Sequence, residues 1–176
     1  MDYAQVYGRM HANDKYFQGF SIKDHVSAIA NLVQRTGART LLDYGCGKGR
    51  QYSQLKVHEQ WGGIMPLLYD PGVAIYRRRP IGLFDGVICT DVMEHIEEAD
   101  VQGVLEDIFS FVQERLDGRD SFVYFCIACR PAKRKKLPDG RNVHVTVKPS
   151  IWWEEQLRPF QRKHIIIGVS YDNKDE

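Results

Sequence analysis

The segment Thr40-Leu41-Leu42-Asp43-Tyr44-Gly45-Cys46-Gly47-Lys48-Gly49 restricts the fold of this chain more than any other. A short apolar run that ends in an acid and then in spaced glycines reads as a buried strand feeding a sharp turn. Glycines remove Cβ atoms there, so that a ligand can lie directly against the main chain. Three nucleotide-binding turns use such glycines, and the neighbouring residues separate them. A phosphate-binding P-loop needs Gly-Lys-Ser/Thr with a further glycine upstream. Here Lys48 is followed by Gly49, and that upstream glycine is missing. A dinucleotide fingerprint needs a small residue where the helix packs on the strand, and position 50 is Arg. The remaining pattern, Gly-x-Gly-x-Gly after an acidic strand end, suits an ammonium or sulfonium group attracted by Asp43 better than a pyrophosphate.

The rest of the chain alternates strands with helices. The spacing predicts a helix over 22–36, with Ser21 and Asp24 as a capping-box-like start, an apolar face of Val26, Ile29, Ala30 and Val33, and Gly37 as the stop. A brief helix over 50–57, a strand over 66–70 and a strand over 84–90 follow. The strongest helical periodicity covers 97–116, through Val101, Val104, Leu105, Ile108, Val112 and Leu116, with Gly118 closing it. Residues 121–128 are apolar almost throughout and read as a central strand. A basic loop comes next, then a helix over about 150–157 behind Pro149, and a last strand over 165–169. This order implies an α/β fold with a single doubly wound, mostly parallel sheet. In such sheets ligands bind beyond the carboxyl ends of the strands, which places the chemistry just after residues 43, 70, 90 and 128.

The 176 residues fit one domain, read as a core over 21–176 preceded by an arm or lid over 1–20, with Met10, Tyr16, Phe17 and Phe20 as possible anchors. The net charge of +1 points to neither nucleic acid nor an acidic partner. No apolar run is long enough for a membrane span, and residues 1–10 lack the apolar middle of a signal peptide. Cys46, Cys89, Cys126 and Cys129 fall in or beside strands. Cys126 and Cys129 have CxxC spacing but no second pair to complete a zinc site. Reduced core thiols in a cytoplasmic protein are the expectation.

Leu41-Leu42-Asp43-Tyr44-Gly45-Cys46-Gly47-Lys48-Gly49 resembles motif I of the class I, Rossmann-like S-adenosylmethionine-dependent methyltransferases. Tyr69-Asp70 resembles the ribose-binding acid of their motif II, and Phe84-Asp85 through Glu94-His95 resembles motif IV. Asn142-Val143-His144 with Trp152-Trp153 looks like a later segment of many small-substrate members. The resemblance implies S-adenosyl-L-methionine as cofactor. It would be bound by Asp43, Tyr44, Gly45, Gly47 and Gly49 at the methionine end, by Asp70 at the ribose, and by Thr90 and Asp91 beside the methyl. Two departures stand out. The stretch from Asp70 to Phe84 is too short for the family's helix and edge strand, so no adenine-contacting acid is assigned. The chain also ends after one antiparallel-type strand where the family has a hairpin, a reduced form of the fold or one that a partner completes.

Methyl transfer needs a nucleophile aligned with the methyl and sometimes a base. Asp91, His95 and His144 are the catalytic candidates, the two histidines because imidazole titrates near neutral pH. Asp91-x-x-Glu94-His95 followed by His144 also resembles the Glu-x-x-Glu-His…His cluster of small-RNA 3′-terminal 2′-O-methyltransferases, which implies Asp91, Glu94, His95 and His144 as ligands of a metal ion. Lys133-Arg134-Lys135-Lys136, with Arg130 and Arg141, and Arg77-Arg78-Arg79 fall at the same ends of strands. They favour a small acceptor bearing phosphate or carboxylate. Nucleic acid is the less favoured partner, because stacking aromatics are not interleaved with the cations. One of Trp152 and Trp153 is expected in the core, and the other on the wall of the acceptor pocket. Three readings follow: a methyltransferase acting on a small acceptor, a metal-assisted nucleic-acid methyltransferase, and a non-catalytic module that keeps the cofactor fold.

Overall fold

The computed structural model describes residues 7, 8, 10, 17–133 and 135–173. Five strands, β1 (Leu41–Tyr44), β2 (Leu67–Tyr69), β3 (Gly86–Thr90), β4 (Ser121–Ala128) and β5 (Ile165–Asp172), form one sheet in the order β2-β1-β3-β4-β5. Every neighbouring pair is parallel. The three inner strands are buried along their whole length. That is why they read as continuous apolar runs rather than as alternating ones.

Strand alternation sends side chains to two cores. Leu41, Ile88, Phe122 and Tyr124 face helix α1 (Val26–Thr36), which contributes Val26, Ile29 and Val33. Leu42, Val87, Cys89, Val123 and Phe125 face the opposite side. There they meet Val101, Leu105 and Ile108 of α3 (Val101–Phe109), and Trp153 and Leu157 of α4 (Ser150–Leu157). Each such side chain, fully buried, contributes ~1.5–3 kcal/mol, so both faces are strongly specified. The single-turn helix α2 (Arg50–Ser53) follows the glycine turn. The chain runs outward from β1 to β2, then returns across β1 to β3, which puts the switch point of strand order between β1 and β3.

Several local expectations change. Residues 21–25 form a 3-10 turn, and no side chain caps α1. Ser21 Oγ instead shares a 2.7 Å hydrogen bond with Thr90 Oγ1. Gly37 does end the helix, in a left-handed conformation with its N–H donating to Val33 O. The helix expected over 97–116 is only α3, because the backbone after it pairs elsewhere. Phe111 O accepts from Phe84 N–H at 2.8 Å, and Gln113 N–H donates to Phe84 O at 2.9 Å. Leu116 is therefore fully exposed, and Gly118 closes no helix. The segment expected as one helix over 50–57 splits into α2 and a separate 3-10 turn, Val57–Trp61.

The last strand is longer than expected and parallel to β4, where an antiparallel one was expected. The intervening connection carries α4, and a helical crossover returns the chain in the same direction. Among the described residues no strand pairs with the outer edge of β5 or of β2, so the sheet lacks both the family's edge strand and its hairpin. Of the arm, Met10 is buried against Leu137 and Val143, while Tyr16 lies outside the described residues. No helix among them is long and apolar enough to cross a membrane. The four thiols are unpaired, and all but Cys129 are buried.

Candidate active site

The glycine turn after β1 is forced by close approach. Gly45, Gly47 and Gly49 all adopt positive φ, at 79°, 55° and 62°. A Cβ on Gly45 would sit 2.3 Å from Val92 Cγ2, and one on Gly47 would sit 3.2 Å from the carbonyl oxygen of Phe17. Gly45 has no room for a side chain; at Gly47 the neighbour would have to give by a few tenths of an ångström, in a left-handed backbone that favours glycine. Asp70, at the end of β2, ties the turn to the next one. Its Oδ2 accepts from Gly47 N–H at 2.9 Å and its Oδ1 from Gly72 N–H at 2.8 Å.

Between this turn and the one after β3 lies a cleft with about 720 Å³ of empty space, in part continuous with solvent. Tyr44, Gly45, Gly47, Asp70, Pro71 and Gly72 form one wall. Asp91, Val92, His95, Ile96 and Val104 form the other, and Tyr7 and Phe17 of the arm also line it. Tyr7 OH donates to His95 O at 3.0 Å, and both aromatic rings meet the His95 ring edge-on.

Three expected cofactor residues do not reach the cleft. Asp43 shares the face of Leu41, because side chains alternate along β1, and so it points toward α2. There its Oδ2 accepts from Gln51 Nε2 at 2.9 Å and Tyr52 OH at 2.8 Å. Burial pushes its carboxyl up to about 7, against the pull of those two bonds. Thr90 is buried, with its hydroxyl held by Ser21. Gly49 caps α2 and lies against Leu68 and Tyr76. Asp91 does line the cleft, in a left-handed backbone conformation (φ 54°), with its N–H donating to Cys126 O. Cys126 Sγ donates to Asp91 Oδ1 at 3.5 Å, and burial raises this carboxyl as well.

The structure brings Glu94, His95 and His144 together. His95 and His144 rings lie 5.0 Å apart and nearly perpendicular. His95 Nδ1 faces Val143 O at 2.8 Å, and His144 Nδ1 faces Arg130 O at 2.7 Å. A carbonyl can only accept, so each Nδ1 carries the proton. Asn142 fixes the His144 segment: its Oδ1 accepts from Ala132 and His144 N–H, and its Nδ2 donates to Ala132 O. Thr146 pins the same segment to the turn, through N–H to Glu94 O and Oγ1 to Ile96 O at 2.6 Å. Burial lowers the His144 pKa and raises that of Glu94 well above the usual carboxylate range. Asp91 belongs to the cleft wall, and the donor atoms that cluster are those of the other three residues.

Part of each basic tract is engaged within the protein. Arg130 pairs with Asp172 at 2.7 Å, and Arg141 with Glu97 and Asp139. Lys148 pairs with Glu98, Lys135 lies 5.3 Å over the Phe17 ring, and Arg79 pairs with Asp107. Arg134 lies outside the described residues. Trp153 is core as expected, but Trp152 packs perpendicular to it, 4.8 Å away, and lines no part of the cleft. Sequence reasoning missed Tyr7, Val92, Ile96 and Val104 as cleft residues. Only Val104 carried a signal, as part of an apolar helical face.

Comparison of the chain with protein-family models, with curated proteins and with solved structures found no match, so the functional reading rests on the fold and on this site.

Proposed function

We propose that the cleft binds S-adenosyl-L-methionine and that the protein is a methyltransferase acting on a small acceptor. The observation that carries this reading is the convergence of the glycine turn and Asp70 on one cleft at the switch point of a parallel sheet. The residues present fit the cofactor. Gly45 and Gly47 line the cleft with main chain, against which the methionine part would lie. Asp70 lines the cleft at the end of β2 and carries carboxylate oxygens of the kind that accept hydrogen bonds from ribose hydroxyls. Beside it Pro71, Gly72, Val92, Ile96 and Val104 give an apolar surface suited to a flat base. Tyr7 and Phe17 would exclude water from the reacting centre.

Bound there, the cofactor supplies an electrophilic methyl on a sulfonium. This chain's residues position the acceptor and handle its proton. His144 has its Nδ1 proton held by Arg130 O and its pKa lowered by burial, so it stays neutral at pH 7 with Nε2 able to accept a proton. His95 borders the cleft directly and is oriented in the same way. The acidic acceptor suggested by the basic tracts has partial support, since Arg79, Arg130 and Arg141 are paired with carboxylates of the protein itself. Four unpaired thiols are in keeping with a cytoplasmic site of action.

A thermal-unfolding comparison tests the reading. A ligand at a hundred times its Kd stabilises by ~2.7 kcal/mol. S-adenosylmethionine and its demethylated product should each raise the midpoint by several degrees, and NAD should leave it unchanged. A shift with NAD alone would refute the assignment.

A further inference from the structure

The two edges of the sheet are finished differently. β2 has three residues, and the chain beyond it folds back over its end, with Asp70 N–H donating to Tyr76 O at 3.1 Å. β5 has eight residues, and among the described residues no strand pairs with its outer side. Edge strands are ordinarily blunted by a charge, a proline or a bulge, because their unmet N–H and C=O groups invite another strand. From Ile165 to Tyr171 this strand has neither charge nor proline. Its register with β4 runs residue for residue through all eight positions, so it has no bulge either.

The strand is also complementary to itself. Ile165, Ile167, Val169 and Tyr171 pack on the core that holds α3 and α4, and Ile166 packs on the core that holds α1. A two-fold axis normal to the sheet sets neighbouring strands antiparallel, with like face beside like face. With that axis at Gly168, Ile167 of one copy falls opposite Val169 of the other, Ile165 opposite Tyr171, and His164 opposite Asp172. Pairs of β-branched and aromatic side chains are among those that stabilise sheets.

Charge at the two ends fits the same arrangement. Arg162, Lys163 and His164 precede the strand and Asp172 ends it. Arg162, His164 and Asp172 meet Glu114, Asp120 and Arg130 of their own chain, which leaves exposed Lys163 without an ion pair among the described residues. Antiparallel pairing brings Lys163 of one copy beside Asp172 of the other, whereas parallel pairing would set like charges side by side. We propose that β5 pairs antiparallel with β5 of a second copy about a two-fold axis at Gly168, joining two five-stranded sheets into one. The pairing stands apart from the methyl-transfer reading and needs no ligand.

Sedimentation equilibrium of the full chain, combined with hydrogen exchange over residues 165–172, tests this. The wild type should pass from one chain to two as concentration rises through the micromolar range. Outward amides of 165–172 should exchange at least tenfold more slowly in the dimer. Ile166→Lys places a charge on the strand of the kind that protects natural edges, and its stem can stay on the apolar face. Checked for folding by circular dichroism, it should weaken dimerisation at least tenfold. Leu67→Lys, on the opposite edge, should leave dimerisation unchanged. A wild type that remains a single chain at millimolar concentration would overturn the proposal and leave the edge to a strand of another protein. A dimer that persists in folded Ile166→Lys would also overturn it. So would a wild-type dimer without added protection over 165–172, a result that decides the matter even where the variant does not fold.

Discussion

The two walls of the cleft are built on opposite terms. On the β1–β2 side the acids serve the fold: Asp43 is bound by Gln51 and Tyr52, and Asp70 by the Gly47 and Gly72 amides. On the β3–β4 side only His95 of its cluster lines the cleft; behind it a buried carboxylate oxygen of Glu94 meets no partner among the described residues, beside two imidazoles of fixed orientation. A wall whose polar groups satisfy one another shapes a ligand's resting place. A wall that leaves polar capacity unmet is suited to chemistry, because it gains when something binds. In the proposed reading, this difference gives the methionine and ribose contacts to the first wall and the handling of the acceptor's proton to the second.

Substitutions on each wall should separate these roles. The largest effect is expected at Gly47→Val, where the branched side chain would press on the Phe17 carbonyl in a left-handed backbone conformation and distort the turn. Calorimetry should show S-adenosylmethionine affinity falling by at least a hundredfold; retained affinity would mean that the glycine turn does not hold the cofactor. Next comes Asp43→Asn. The folded-state pKa is raised to about 7 from 3.8, so the folded protein holds this proton when the unfolded chain has lost it. The group's contribution is therefore most favourable below pH ~4 and declines as pH rises to 7, by up to about 4 kcal/mol for a shift of this size. Urea titrations at pH 4 and pH 8 should show a smaller decline in Asp43→Asn than in the wild type. An equal decline would place the ionisation elsewhere.

On the opposite wall, His144→Ala should leave cofactor affinity within twofold and slow methyl transfer by about a hundredfold, the lower end of general-base effects. A parallel loss of cofactor affinity would dissolve the division between the walls. The smallest effect is expected at Leu116→Glu, outside both. Leu116 is fully exposed, so denaturant unfolding should move by less than ~0.5 kcal/mol. A larger loss would restore the long helix that the sequence pattern suggests.

Periodicity made the parallel sheet and its switch point legible, because buried strands such as Ser121–Ala128 are apolar throughout. It overran at α3. Val112 keeps helical spacing while its backbone neighbours bond to Phe84, a pairing across distant sequence that no local pattern encodes. The glycine turn was legible because glycine requirements are local. The side to which Asp43 points was not, because the motif fixes its position on β1 while the sheet decides its face. Tyr7 reaches His95 across 88 residues, and nothing near it in sequence marks it as part of a site.

The central claim is tested most directly by isothermal titration of the intact protein with S-adenosylmethionine and, separately, with its demethylated product. One site per chain, with both ligands bound in the micromolar range and competing with each other, is the predicted result. Absence of heat with either ligand at millimolar concentration, in a sample shown to be folded, would contradict it.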